Sequence, residues 1–262
     1  MAFGGSGGYE GAVAVVSGAS SGLGKRIAVD LAAAGATVVA VARREEALRE
    51  LGVAYRVCDV SDSAAWTTVL AELEAEHGRI DVLINGAGVE RRRGIAEVTI
   101  ADVQETMATN FDATAAGTLA VLPGMVRRGA GIIANISSDH GRAPGPGTPA
   151  YCASKAAVSA FTESLAHEAG PLGVHLHIVY PGWVPTALGQ GAVDQGMAMP
   201  PRAVRRTEEQ VSSLVLAKLG GRRIEINAAR VAALAPVVRA IAPGAYRRGM
   251  QAAASSKTGG AK

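Results

Sequence analysis

Aromatic residues are scarce in this sequence: 2 Trp, 5 Tyr and 3 Phe make up 4% of 262 residues. Its core must therefore be built mostly from Ala, Val, Leu and Ile. Cysteine is scarcer still. Cys58 and Cys152 cannot form a disulfide framework, and their spacing matches no metal-ligand pattern. No apolar run approaches the ~20 residues of a membrane-spanning helix. The Gly-rich first ten residues lack the basic start of a signal peptide, so a soluble cytoplasmic protein is expected. The 33 Gly follow no G-X-Y period, which excludes a collagen. Acidic residues are rare only near the end. Residues 202–262 hold 12 Lys/Arg against 3 Asp/Glu, whereas residues 1–201 hold 14 against 20. The formal net charge of +3 thus conceals an acidic body and a basic tail.

The sequence is 48% apolar and 19% charged, which excludes intrinsic disorder, and its length suits one larger α/β domain. Short apolar runs at 12–17, 37–42, 55–60, 82–85, 131–137 and 174–180 read as strands buried on both faces, with a seventh at 223–227. Between them, helical spacing covers 24–35, 45–51, 64–77, 100–128, 151–170 and 207–219. This alternation predicts an α/β fold of one domain, a Rossmann-like doubly wound parallel sheet of seven strands with helices on both faces. A loose lead is expected over 1–9, an α/β body over 10–227 and a basic amphipathic extension over 228–262, fraying from Ala252 onwards.

The first strand runs into Ser17-Gly18-Ala19-Ser20-Ser21-Gly22-Leu23-Gly24-Lys25. Glycines there permit a tight turn, and the following helix N-terminus suits a pyrophosphate. With its G-x3-G-x-G spacing, this turn resembles the cofactor motif of the short-chain dehydrogenase/reductase family. Four further segments resemble that family in its order: Asn85-Gly86-Ala87-Gly88, Ser138 placed 13 residues before Tyr151, Tyr151-Cys-Ala-Ser-Lys155, and Pro181-Gly182-Trp183-Val184-Pro185-Thr186. The resemblance covers about 10–227. It departs at Ser17, where Thr is usual, and at Gly86, where a second Asn is usual.

The resemblance implies an enzyme that acts on CH–OH groups with NAD(P) as acceptor. It implies cofactor contacts along Gly18, Ser20, Ser21, Gly22, Leu23, Gly24, Arg43, Asp59, Val60, Asn85, Ala87, Gly88, Tyr151, Lys155, Pro181, Gly182, Val184 and Thr186. Asp59 would contact the adenine; without the resemblance it reads equally as a cap for the next helix. Sites for NAD usually carry an acid after the second strand. Ala42 stands there, followed by Arg43, which can grip a 2′-phosphate. NADP(H) is therefore expected over NAD(H). The alternative pairs Arg43 and Arg44 with Glu45 and Glu46.

Tyr151 and Lys155 lie one helical turn apart on one face. An ammonium beside a phenol lowers its pKa towards the working range, which suits an acid/base. Ser138, at a strand end, can hydrogen-bond the substrate oxygen; adjacent Ser137 should point the other way. Asn110 is a poor helix-interior residue and so should have a polar task. The family resemblance makes it the fourth catalytic residue, holding a water that links Lys155 to solvent. Substrate contacts are expected from Ser138, His140, Tyr151, Trp183 and Leu188.

A lid over 187–206 carries Leu188, Val193, Met197 and Met199, which points to an apolar ketone and its secondary alcohol unless these residues pack into the core. The resemblance also implies a homodimer, or a tetramer, through the helices at 100–128 and 151–170. The basic extension is expected to cover the cleft or an acidic face of the body; a membrane surface or a partner is the alternative. The competing functions are a non-catalytic nucleotide sensor on the same fold and a nucleic-acid binder, the latter disfavoured by the lack of any binding motif.

Overall fold

The computed structural model describes residues 8–255. Seven parallel strands, β1 (Val13–Ser17), β2 (Thr37–Ala42), β3 (Ala54–Val57), β4 (Val82–Asn85), β5 (Gly131–Ile136), β6 (Val174–Tyr180) and β7 (Glu225–Asn227), form one sheet in the order β3-β2-β1-β4-β5-β6-β7. The helices are α1 (Gly22–Ala33), α2 (Glu45–Arg49), α3 (Ser63–His77), α4 (Ile100–Met107), α5 (Ala113–Arg128), α6 (Asp139–Arg142), α7 (Pro149–Ala169), α8 (Ala187–Asp194), α9 (Glu208–Lys218), α10 (Ala235–Ile241) and α11 (Pro243–Ser255). This is the doubly wound architecture that the alternating pattern predicts. Among the described residues no helix is long and apolar enough to cross a membrane.

Strand residues alternate between two apolar layers. Val16, Ala40, Ile84, Ala134 and Val179 pack with Ile27 and Leu31 of α1 and Val211 and Val215 of α9. Val15, Val41, Leu83, Ile133 and Leu176 pack with Trp66, Leu70 and Leu73 of α3 and Met125 of α5. Both faces are therefore covered, as a parallel sheet requires. A polar seam crosses the second layer. Asn85 Nδ2 donates to Asn135 Oδ1 at 2.8 Å on the neighbouring strand, and Asn135 Nδ2 donates to Thr162 Oγ1 of α7 at 2.9 Å. Hydrogen bonding offsets the burial of both amides, although Asn85 Oδ1 has no partner among the described residues.

Several boundaries differ from the sequence pattern. β3 stops at Val57 instead of running to 60, because Asp59 Oδ1 accepts from the Ser61 N–H and hydroxyl at 3.1 and 2.7 Å and turns the chain. Asp59 does not cap α3; Asp62 does, accepting from Ala64 N and Ala65 N. The helical stretch at 100–128 is two helices joined by a π-helical turn, Ala108–Asp112. Helices α6 and α8 carry no clear periodic signal, being only 4 and 8 residues long. The expected loose lead lies outside the described residues except for its end, where Tyr9 is buried and its hydroxyl donates to Leu216 O at 2.7 Å. Of the stretch expected to fray, residues 252–255 continue α11 and the remainder lies outside the described residues.

Gly117 of α5 sets how closely that helix approaches the seam. A Cβ there would lie 2.6 Å from Trp66 Nε1 and 2.8 Å from Asn85 Oδ1. Gly117→Ala should overpack this contact and cost about 1–3 kcal/mol. Thermal unfolding should read this as a Tm lowered by several degrees, and an unchanged Tm would show that the layer yields freely.

Candidate active site

The sheet order reverses between β1 and β4, where the strand carboxyl ends open a crevice suited to ligands. A cleft of about 620 Å³ fills it. Such a volume lies within the ~300–1,000 Å³ of ordinary ligand pockets.

The β1–α1 turn forms one wall. Gly18 has φ +71°, and a Cβ on it would lie 2.6 Å from Ala87 N, so the turn packs directly on the segment after β4. Ser21 takes the N-cap position of α1, yet no side chain caps that end. Its backbone N–H groups thus meet the cleft as an anion site. Cleft-lining residues here are Gly18, Ser20, Ser21, Gly22, Leu23 and Gly24, with Arg43, Asp59, Val60, Ala87 and Gly88 beyond. Asn85 does not line it; it lies below, in the polar seam.

The two arginines behave differently. Arg43 is largely exposed and reaches Asp59 Oδ2 at 3.5 Å. Arg44 folds back over the glycine turn, donating to Ser20 Oγ at 3.0 Å and Ser21 Oγ at 2.9 Å. Neither makes the pairing with Glu45 or Glu46 that the sequence offers as an alternative; Glu45 instead accepts from Arg49 and Tyr55. Partial burial alone would raise the Asp59 pKa, but hydrogen bonds from Ser61 and the charge of Arg43 hold it below the ordinary carboxylate value.

At the far end, α7 brings Tyr151 and Lys155 under the carboxyl end of β5. Lys155 Nζ donates to Ile136 O at 2.7 Å and lies 5.9 Å from the centre of the Tyr151 ring. Burial lowers the Lys155 pKa to about 8. Burial also raises that of Tyr151, the charge of Glu90 raises it further, and a hydrogen bond with Ser138 partly opposes both. Burial is the largest of these effects, and in this cleft the phenol stays protonated at neutral pH. Ser138 caps α6, accepting from His140 N at 3.2 Å, while Ser137 points inward and donates to Lys155 O at 2.9 Å. The His140 ring stacks edge-on to Tyr151 at 6.2 Å, and burial lowers its pKa.

Asn110 does not line the cleft. It sits in the π turn, where its Oδ1 accepts from Val89 N at 2.8 Å and its Nδ2 donates to Val89 O and Ser154 Oγ, both at 2.9 Å. Single-turn π segments often mark functional sites. Its side chain holds the strand exit beside Gly88 against α7, which makes Asn110 a positioning residue. Pro181, Gly182, Trp183, Val184, Thr186 and Leu188 close the cleft, and Thr186 caps α8. The lid contributes Leu188, Met197 and Pro200 to the lining, whereas Met199 is 46% exposed.

Glu90 and Arg92 escaped the sequence reading. They form an ion pair of 3.2 Å with both side chains more than nine-tenths buried, and Glu90 lines the cleft beside Tyr151. The run Glu90-Arg91-Arg92-Arg93 reads as a solvated loop, so no sequence signal marks the pair.

Uncapped N–H groups beside a glycine turn, with buried Tyr151 and Lys155 and half-buried Ser138 at the other end of one crevice, match what a nicotinamide-dinucleotide-dependent oxidoreductase requires. The comparisons agree. The short chain dehydrogenase family model matches residues 12–196. The Xenopus laevis dehydrogenase/reductase SDR family member 7B is 34% identical, over 97% of this chain and 85% of that protein. A short-chain dehydrogenase from Streptomyces avermitilis superposes with a TM-score of 0.79 at 28% identity, covering 94% of this chain and 99% of that one. A short chain dehydrogenase from Mycobacterium paratuberculosis, solved bound to NAD, gives 0.75 at 26% identity over 84% and 97%. The chain belongs to the short-chain dehydrogenase/reductase family. It is an oxidoreductase of the kind that acts on CH–OH groups with NAD(P).

Because the Glu90 carboxylate opposes ionisation of Tyr151, Glu90→Gln should lower the tyrosine pKa. If Tyr151 gives the proton in carbonyl reduction, as proposed below, the alkaline limb of that reaction should move to lower pH in the variant. A pH profile that coincides with that of the parent protein would deny this coupling.

Proposed function

We propose that the protein interconverts an apolar ketone and its secondary alcohol, with NADP(H) preferred over NAD(H). The observation that carries this reading is the convergence of Ser138, Tyr151 and buried Lys155 at the end of a cleft that begins on an uncapped helix. When bound, the nicotinamide supplies or accepts the hydride at the substrate carbon. The α1 N–H groups would bind the pyrophosphate. Arg44, tied to Ser20 and Ser21, and Arg43 across the same opening would hold a 2′-phosphate. Lys155 would orient the nicotinamide ribose.

For reduction, Ser138 Oγ fixes the substrate oxygen and Tyr151 Oη gives it a proton; oxidation reverses the transfer. Lys155, whose pKa sits near neutrality, can return that proton to Tyr151. Asn110 keeps Val89 and Ser154 in register, and a water beside it completes the path to solvent. Leu188, Met197 and Trp183 would enclose the apolar part of the substrate, with the lid ordering as it binds. The body over 10–227 would act as the catalytic domain. Pairing of two copies through α4–α5 and α7 would give a homodimer, and a second interface a tetramer. A cytoplasmic setting fits this reading, as does the absence of a nucleic-acid motif.

Tyr151→Phe should abolish turnover while NADPH still binds, as read by nicotinamide fluorescence. Full activity in that variant would refute the acid/base assignment. Arg44→Ala should raise KM for NADPH by about tenfold, the scale of one charge-assisted hydrogen bond, with little change for NADH. Equal effects on both cofactors would remove the 2′-phosphate role.

A further inference from the structure

The segment after β7 reverses the usual amphipathic arrangement. Small residues, Ala232 and Ala233, are half-buried against the body. Val231, Leu234, Val237, Val238 and Ile241 point outward, 42–78% exposed. The spacing of Val231, Leu234, Val238 and Ile241 places them on one helical stripe. A contiguous apolar surface of this kind marks an interaction site.

The stripe is held in a defined place. Arg239 Nη1 donates to Arg142 O at 3.0 Å, and Tyr246 Oη donates to Pro144 O at 2.7 Å. These bonds seat α10 and α11 on the loop after β5, and Ala232 lines the cleft itself. The stripe therefore borders the cleft mouth, whose lid presents Leu188, Met197 and Pro200. From residue 228 to the end the sequence has six Lys/Arg and no Asp or Glu. Arg230, Arg247 and Arg248 are exposed beside the stripe.

We propose that this face docks on an anionic lipid surface. The aliphatic stripe would enter the headgroup–acyl boundary and the arginines would meet lipid phosphates. Charge decides between this occupant and a second copy of the chain. A two-fold contact would bring together two copies of a face that carries Arg230, Arg247 and Arg248 and no acid of the segment, so like charges would meet. A bilayer supplies the missing negative charge and places the cleft mouth beside a reservoir of apolar molecules. The proposal does not depend on which carbonyl the enzyme reduces, because its readout is partitioning and not turnover.

The test is flotation of the full chain with phosphatidylcholine vesicles, with and without phosphatidylserine. Binding should require phosphatidylserine and weaken as salt rises. The double variants Leu234→Ser/Ile241→Ser and Arg247→Glu/Arg248→Glu should each weaken it about tenfold or more. All four positions are exposed, and circular dichroism checks that the variants keep the fold. Failure to bind phosphatidylserine vesicles would overturn the proposal, as would equal binding by both variants. A dimer in light scattering that Leu234→Ser/Ile241→Ser dissolves would give the face to a second copy instead.

Discussion

The close packing of the first βα turn against the segment after β4 constrains the rest of the site. Gly18 leaves no room for a Cβ between the turn and Ala87. That contact spaces the α1 N-terminus and the 86–90 segment across one crevice. The 86–90 segment is held from its other side by Asn110, which bonds Val89 through both ends of its amide. Asn110 also reaches Ser154 on the helix that carries Tyr151 and Lys155. The phosphate-binding end and the proton-handling end of the cleft are thus linked through backbone contacts and one buried amide, so their separation does not depend on flexible side chains.

Desolvation then sets the chemistry. Burial at the cleft end pushes the Tyr151 pKa up and brings that of Lys155 down to about 8, so the phenol is held neutral while the lysine stays able to give up its proton. On the proposed reading, a neutral phenol beside Ser138 would serve as the proton donor in reduction of a carbonyl. Glu90 strengthens this bias, and its own charge is held in place by Arg92. The lid adds aliphatic surface over the same space through Leu188 and Met197.

Much of the fold was legible because the central strands, β1, β4 and β5, are fully buried and β2 and β6 nearly so. Thr37–Ala42, Val82–Asn85 and Val174–Tyr180 fall where their continuous apolar runs place them. What escaped depends on contacts distant in sequence. The π turn needs Val89 to capture Asn110, which periodicity alone does not encode. Adjacent Arg43 and Arg44 are equivalent as letters, yet only Arg44 folds onto the serines of the glycine turn. Glu90 and Arg92 are buried only because loop 143–147 and the lid pack beside them, with Arg92 donating to Pro146 O at 3.3 Å. The basic excess at the end was visible as a count, but the outward turn of its aliphatic residues was not.

On the proposed reading, a substrate carbonyl in this cleft would meet a proton held on Tyr151 and a reduced nicotinamide. The most direct measurement follows NADPH consumption and alcohol formation together over a panel of steroid, aryl, polyketide-like and short aliphatic ketones. The account predicts at least one apolar ketone for which the two are equimolar. Tight NADPH binding with no ketone reduced, and no corresponding alcohol oxidised with NADP, would contradict it and leave a nucleotide-binding protein without catalysis.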